Sequence, residues 1–223
     1  MKLTEKILAA LAILAVILKY YHIPGANVLL VLSTGILAML YWPLGFALFN
    51  DISVRDLFKS KSYQVFRGGR LVVTIALGIG LSILVLGILF TLNRYPGNKV
   101  MLLNGLLITG LSSLWLLWQF MKTKDSLTIR NLIRGVIFFG LGLILYLSTP
   151  VDVVKFFYHD RPEYVEAFTA QYENPTDFEK YRAFRVLVYK QNFGEEMYKH
   201  NKEVVDTQIK RDFEDRNRNL GRK

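Results

Sequence analysis

Cysteine is absent from this 223-residue chain, which excludes disulfides, thiol nucleophiles and thiolate metal sites at once. Histidine is scarce: His22, His159 and His200 lie too far apart in sequence to suggest a zinc-type cluster,. Acidic side chains are few in the first two thirds of the chain. Residues 1–150 hold 4 Asp/Glu against 14 Lys/Arg, whereas residues 151–223 hold 14 of each. Catalytic signatures are lacking as well, with no glycine-rich phosphate loop, no His-Glu-x-x-His and no Gly-x-Ser-x-Gly,. His159-Asp160-Arg161 has the order of a kinase catalytic loop without any of its companion motifs,. The expectation is therefore no catalytic residue, no metal and no cofactor.

Apolar residues are abundant, 52% of the chain, and they are gathered into runs. A helix needs about 20 mainly apolar residues to cross a hydrocarbon layer ~30 Å thick at about 1.5 Å per residue. Runs at 26–49, 71–92 and 100–121 meet that length. Shorter runs at about 5–22 and 132–149 reach it if Lys19, Tyr20 and Tyr21, or Arg130 and Arg134, snorkel to the interface,. The pattern predicts an all-α integral membrane protein, with about five transmembrane helices in residues 1–150 and a helical extramembrane tail in 151–223. Four spans is the alternative count. Lys2 and Lys6 before Ile7–Leu18 resemble a signal peptide, but Lys19-Tyr20-Tyr21-His22 stands where small residues would mark cleavage. The segment reads as an uncleaved first helix.

The net charge of +10 comes entirely from the membrane half. With five spans, eleven bases (Lys2, Lys6, Arg55, Lys59, Lys61, Arg67, Arg70, Lys122, Lys124, Arg130, Arg134) fall on one side and only Lys19, Arg94 and Lys99 on the other. Basic loops stay on the cytoplasmic side. The asymmetry predicts a bacterial inner-membrane protein with a cytoplasmic N-terminus and a periplasmic tail, and it accounts for the basic excess without nucleic acid.

An internal repeat organises the membrane half. Ile23-Pro24-Gly25-Ala26-Asn27-Val28-Leu29-Leu30 is echoed by Tyr95-Pro96-Gly97-Asn98-Lys99-Val100-Met101-Leu102, and Ser53–Phe58 by Thr128–Ile133. The unit reads helix, Pro-Gly turn, helix, then a basic amphipathic connector that Ser53 or Thr128 would cap. Two spans per unit make the copies parallel. Lys19, Tyr21, His22 and Pro24-Gly25-Ala26, set between a short and a longer apolar helix, resemble the N-terminal hairpin of the GldL family. That family comprises Bacteroidetes inner-membrane proteins of the gliding-motility and type IX secretion motor. The resemblance covers the first hairpin only. It implies an intramembrane acid for proton flow, and residues 27–49 contain none, so it points to a relative of the hairpin and not to a motor.

Ionisable groups deep in a bilayer usually mark function, and no Asp, Glu, Arg or His falls near the midpoint of a run. Asn104 is the most polar residue inside one, and the glycines with Ser33, Thr34, Thr109, Ser112 and Ser113 suit close helix packing,. Lys19, Tyr21, His22 and Arg94, with Asn104, are the candidate headgroup or ligand contacts. In the tail, Asp160 with Glu163 reads as a capping box, and Asn174-Pro175 as a second helix start,. Tyr164, Phe168, Tyr172, Phe178, Tyr181 and Phe184 recur at helical spacing and form a candidate partner-binding face,. Arg216–Lys223 reads as a frayed end. The leading expectation is a non-enzymatic inner-membrane scaffold or complex subunit, in contact with lipids and with a protein partner or a second copy, presenting its tail in the envelope. A carrier or channel for an uncharged or lipidic solute, with a polar cleft at Asn104, is the alternative. An enzyme acting at the outer face, built on Lys19, His22 and Arg94, comes third.

Overall fold

The computed structural model describes residues 1–53, 56 and 68–220, and these are helical throughout, without a strand. The chain forms two compact units, Met1–Pro150 and Val151–Lys223. The first contains α1 (Lys2–Tyr20), α2 (Ala26–Phe49), α3 (Gly68–Leu92), α4 (Asn98–Thr123) and α5 (Ser126–Leu147). The apolar runs all lie in helices, because a run of aliphatic residues in which every backbone group bonds within its own helix leaves nothing polar to satisfy, although α5 opens at Ser126, well before the expected 132.

Each helix packs on the next, and α3 also contacts α5, so α3 lies at the centre. Leu77, Leu81, Leu84, Val85 and Leu89 of α3 are all buried. Close approach is made possible by glycine. A Cβ built on Gly78 of α3 would lie 2.8 Å from the Tyr41 carbonyl oxygen of α2, and one on Gly105 of α4 would lie 2.7 Å from the Leu84 backbone. Ser82 of α3 adds a hydrogen bond of 2.9 Å to the Ala38 carbonyl of α2. The outside of the bundle carries long apolar stripes as well. Val28, Leu32, Ile36, Met39 and Trp42 form an exposed stripe along α2, and Leu103, Leu107, Leu111 and Leu114 another along α4. Water-soluble monomers rarely expose continuous apolar surface of that extent.

Among the described residues four helices, α2 to α5, are long and apolar enough to cross a membrane. Helix α1 falls short by composition, since Lys2, Glu5, Lys6 and Lys19 leave Ile7–Leu18 as its uncharged stretch. It nevertheless runs from one end of the bundle to the other. Lys2 pairs with Asp51 beyond the end of α2 at 2.6 Å, and Lys19 reaches the last carbonyl of α3, Leu92, at 2.8 Å.

The two Pro-Gly turns share one backbone. His22 and Arg94 have φ of 54° and 58°, and Gly25 and Gly97 have φ of 87° and 81°. In each, the residue after the left-handed position bonds back five residues, Ile23 to Leu18 and Tyr95 to Phe90. This is the paired-hydrogen-bond helix ending normally built on glycine. The basic connectors turn out differently. The one at Ser53–Phe58 falls largely outside the described residues. The other is no separate interfacial helix: Asp125 caps α5 by accepting from the Leu127 and Thr128 amides, so Thr128–Ile133 lies within α5 itself.

The second unit contains α6 (Pro150–Phe157), α7 (Pro162–Glu173), α8 (Phe178–Phe193), α9 (Glu195–His200) and α10 (Lys202–Leu220). Helix α8 is shared by two cores. One face carries Phe184, Leu187 and Val188 against Val154 and Tyr164; the other carries Tyr181 against Tyr198, Val205, Ile209 and Phe213. The cap of α7 falls one residue after the expected Asp160. Arg161 occupies the cap position, without a side-chain bond, because Pro162 opens the helix one residue later than the expected capping box requires. At α8 the cap is Asp177, whose carboxylate accepts from the Glu179 and Lys180 amides. The end expected to fray carries α10 as far as Leu220.

Candidate functional site

The most concentrated chemistry lies at the end of the bundle where α1 begins, α2 ends and α5 begins. Glu5 is only 6% exposed. Arg134 of α5 grips its carboxylate with both arms of the guanidinium, Nε to Oε1 at 2.7 Å and Nη2 to Oε2 at 2.9 Å. Tyr41 of α2 donates its hydroxyl to the same carboxylate at 2.9 Å. Arg134 also donates to Asn131 Oδ1 at 3.0 Å and sits 5.3 Å from the centre of the Phe49 ring. Asn131 in turn donates to the Phe49 carbonyl at 2.8 Å. Taking two charges out of water costs several kcal/mol, and the pair holds only where geometry and extra hydrogen bonds compensate. Here they do: a fork-to-fork contact, a phenol and an amide tie α1, α2 and α5 into one clasp.

Two further pairs extend this end. Asp51 is held by Lys2 and Arg130, at 2.6 and 2.7 Å. Partial burial pushes its carboxyl up, but the hydrogen bonds and charges of both bases outweigh that and hold it below the ordinary carboxylate range. Asp125 receives Arg70 of α3 at 3.0 Å. Its carboxyl too is lowered, burial being outweighed by the Thr128 hydroxyl, the Leu127 and Thr128 amides and Arg70. Asn50 bridges α2 to α3 by donating to Thr74 at 2.8 Å while accepting from Arg70 at 3.1 Å. Glu5, Asp51 and Asp125 thus each carry a base from another part of the chain.

The candidate headgroup residues at the opposite end are only partly brought together. Lys19 donates to the Leu92 carbonyl at 2.8 Å and to Asn93 Oδ1 at 2.6 Å, next to Arg94 in sequence. It neutralises the carbonyl end of α3, where a helix carries partial negative charge. Lys99 repeats the device on α5, donating to the Tyr146 carbonyl and to that of Ser148 at 2.7 Å. Both lysines therefore act first on neighbouring helix ends. His22 and Arg94 occupy the left-handed helix-ending positions. Tyr21 is exposed against Tyr20. Asn104 stands apart on the exposed face of α4, roughly two turns inward from Asn98,; beside it Gly105 packs directly on Leu84.

The aromatic face expected to meet a partner is mostly turned inward. Tyr164, Tyr181 and Phe184 are buried, Phe168 and Phe178 are half-buried against them, and Tyr172 is exposed. Tyr164 meets Phe184 edge-on at 5.2 Å, and Phe178 meets Phe213 at 5.3 Å. Recurrence every three or four residues marks one helical face, but α7 and α8 bury that face in each other and in α10. Arg182 and Asp206 lock α8 to α10, with contacts of 3.3 and 2.7 Å, and Tyr198 of α9 joins them at 3.3 Å. The Arg182 hydrogen bond outweighs partial burial and holds the Asp206 carboxyl below its ordinary range. What faces outward is an open cleft of about 820 Å³ between α7, α8 and α9, lined by Arg161, Glu163, Tyr164, Lys190, Gln191 and Glu195 among others.

No group of three or more His, Cys, Asp or Glu close enough to hold a metal ion occurs among the described residues. Reading the sequence alone missed Glu5, Tyr41, Asn131 and the clasp role of Arg134. The available signal was Glu5 itself, the single acid inside an apolar helix of the first 150 residues. Comparison with known proteins gives no match: no family model fits the chain, and no curated protein or solved structure is significantly similar to it.

Proposed function

We propose that this chain is a membrane-embedded scaffold whose C-terminal unit docks a protein partner. The observation that carries the reading is the division of labour between the two units. In the first, glycine-mediated packing and the Glu5–Tyr41–Arg134 clasp spend the charged and polar groups on holding helices to one another. In the second, five short helices build their own aromatic core and leave an open, charge-lined cleft. A fixed platform bearing a small folded module suits assembly. The carrier alternative called for a polar cleft at Asn104, and the backbone contact between Gly105 and Leu84 lends it no support.

In this reading the bundle crosses an inner membrane five times, N-terminus in the cytoplasm and tail in the periplasm. Support comes from α1, whose ends are tied to opposite ends of the bundle, and from the eleven-to-three division of bases. The test is in-cell photo-crosslinking from Gln191, in the cleft, beside a control at Lys210 on α10, with alkaline phosphatase fused after Lys223 to report the side of the tail. One reproducible neighbour captured from Gln191 but not from Lys210, with active phosphatase, is the expected result. Recovery of uncrosslinked protein alone from Gln191 overturns the docking role, and an inactive phosphatase overturns the topology.

A further inference from the structure

We propose that the C-terminal half of α4 is a binding face for an anionic phospholipid, an inference that rests on the membrane reading above and adds a chemical preference to it. The face is a single helical stripe. Leu111, Trp115, Trp118 and Lys122 follow at intervals of four, three and four residues, and all four are exposed. The opposite side of the same helix, with Thr109, Ser112, Ser113 and Leu116, is buried. Along the stripe the character changes from aliphatic to indole to ammonium over eleven residues. That is about 16 Å of helix, enough to run from the acyl region into the headgroups. Indole rings settle at that boundary and lysine side chains reach past it.

The stripe is organised, not merely mixed. Trp115 and Trp118 pack with ring centres 5.1 Å apart, and the Lys122 ammonium lies 3.7 Å from the centre of the Trp118 ring. A cation resting on an indole is held in place while its outer side stays available to a phosphate. Lys124 follows in the left-handed position that ends α4, 5.3 Å from the Phe120 ring.

Charge complementarity identifies the occupant. At this end Glu5, Asp51 and Asp125 are taken by Arg134, by Lys2 with Arg130, and by Arg70. Lys122 and Lys124 face outward instead. The carbonyl end of α4 carries only about half a negative charge, which two ammonium groups outweigh. A neutral headgroup would leave that excess unanswered; a phosphatidylglycerol-type headgroup would not.

The three tryptophans supply the test. Trp42, Trp115 and Trp118 are all exposed, and a Trp42→Phe background leaves emission from the α4 stripe alone. The full-length protein is reconstituted with phospholipids brominated on their acyl chains, either phosphatidylglycerol or phosphatidylcholine, at equal mole fraction. Stronger quenching by the anionic lipid is expected. It should fall by about fivefold in relative affinity per lysine in Lys122→Gln/Lys124→Gln and return in Lys122→Arg/Lys124→Arg. Equal quenching by both lipids overturns the proposal, as does a preference that survives Lys122→Gln/Lys124→Gln. Absence of quenching by either lipid overturns the membrane reading instead.

Discussion

Replacing Glu5 by glutamine tests whether the clasp at the start of α1 holds the bundle together. The amide keeps an acceptor for Tyr41 but removes the carboxylate to which Arg134 is forked. The guanidinium is then left with Asn131 and the face of Phe49. The Glu5 side chain is 8% exposed and that of Arg134 25%, so solvent makes up little of the loss. Removing one partner of a buried pair costs 3–5 kcal/mol, and the partial exposure of Arg134 places this case near the lower end, about 3 kcal/mol. For a chain of this length that corresponds to a fall of about 6–12 °C in Tm. Arg134→Met should cost a similar amount, since it strands Glu5 with Tyr41 alone. The combined variant Glu5→Gln/Arg134→Met buries no charge and should lose about 2 kcal/mol less than the two single losses added together. Tryptophan-detected unfolding of the purified chain in detergent measures all four proteins. Losses that simply add would refute the clasp, as would single variants within about 0.5 kcal/mol of the original chain.

Two other outcomes follow from the same geometry. Gly78→Ala places a methyl 2.8 Å from the Tyr41 carbonyl and should destabilise the bundle by about 1–3 kcal/mol; Gly140→Ala, which meets nothing within 4 Å, should be neutral or gain up to about 1 kcal/mol from helix propensity, and thermal unfolding separates them. In the second unit, the lowered Asp206 carboxyl stabilises the fold at pH values above its unfolded pKa, and that contribution disappears as the pH falls through the folded pKa,. Hydrogen exchange in α8 and α10 should therefore accelerate as the pH falls below about 4, the ordinary carboxylate value, and Asp206→Asn should remove that pH dependence while raising exchange at neutral pH.

How much of this could be read from residues alone depends on the range over which each signal acts. Helix α2 was expected at 26–49 and is found at Ala26–Phe49, because apolar length is a local property with sharp polar boundaries. The paired Pro-Gly turns were legible for the same reason, although nothing local foretold that His22 and Arg94 would take the left-handed positions beside them. Partners distant in sequence were not legible. Glu5 meets Arg134 across 129 positions and Lys19 meets Leu92 across 73; no periodicity links such pairs, and Lys19 beside tyrosines reads equally well as an interfacial anchor. The tail shows a different limit. Spacing identified the aromatic face, but an inward-packed face and an outward-facing one have the same spacing, and only the number of helices available to cover it decides between them. Five helices in 73 residues were enough.

The bases gathered at the end of the bundle where α1 begins differ in what they hold. Positive charge there is divided between two duties by the identity of the side chain. The arginines described at that end, Arg70, Arg130 and Arg134, are all engaged with carboxylates, where a planar fork matches two oxygens and stays charged when partly buried. Lysines sit at the edge: Lys2 shares Asp51 with Arg130, while Lys122 and Lys124 rest on aromatic rings. Lysine's flexible stem and compact ammonium favour a wet, shifting interface over a fixed one. Exchanging these roles should therefore not be neutral. Lysine in place of Arg134 supplies the charge without the fork, so it cannot make the two parallel hydrogen bonds that hold Glu5,. Arginine in place of Lys122 keeps a cation over the indole with its charge facing outward,. At this end of the bundle, side-chain type, more than charge count, separates the arginines that grip carboxylates from the two lysines that close α4 and face outward.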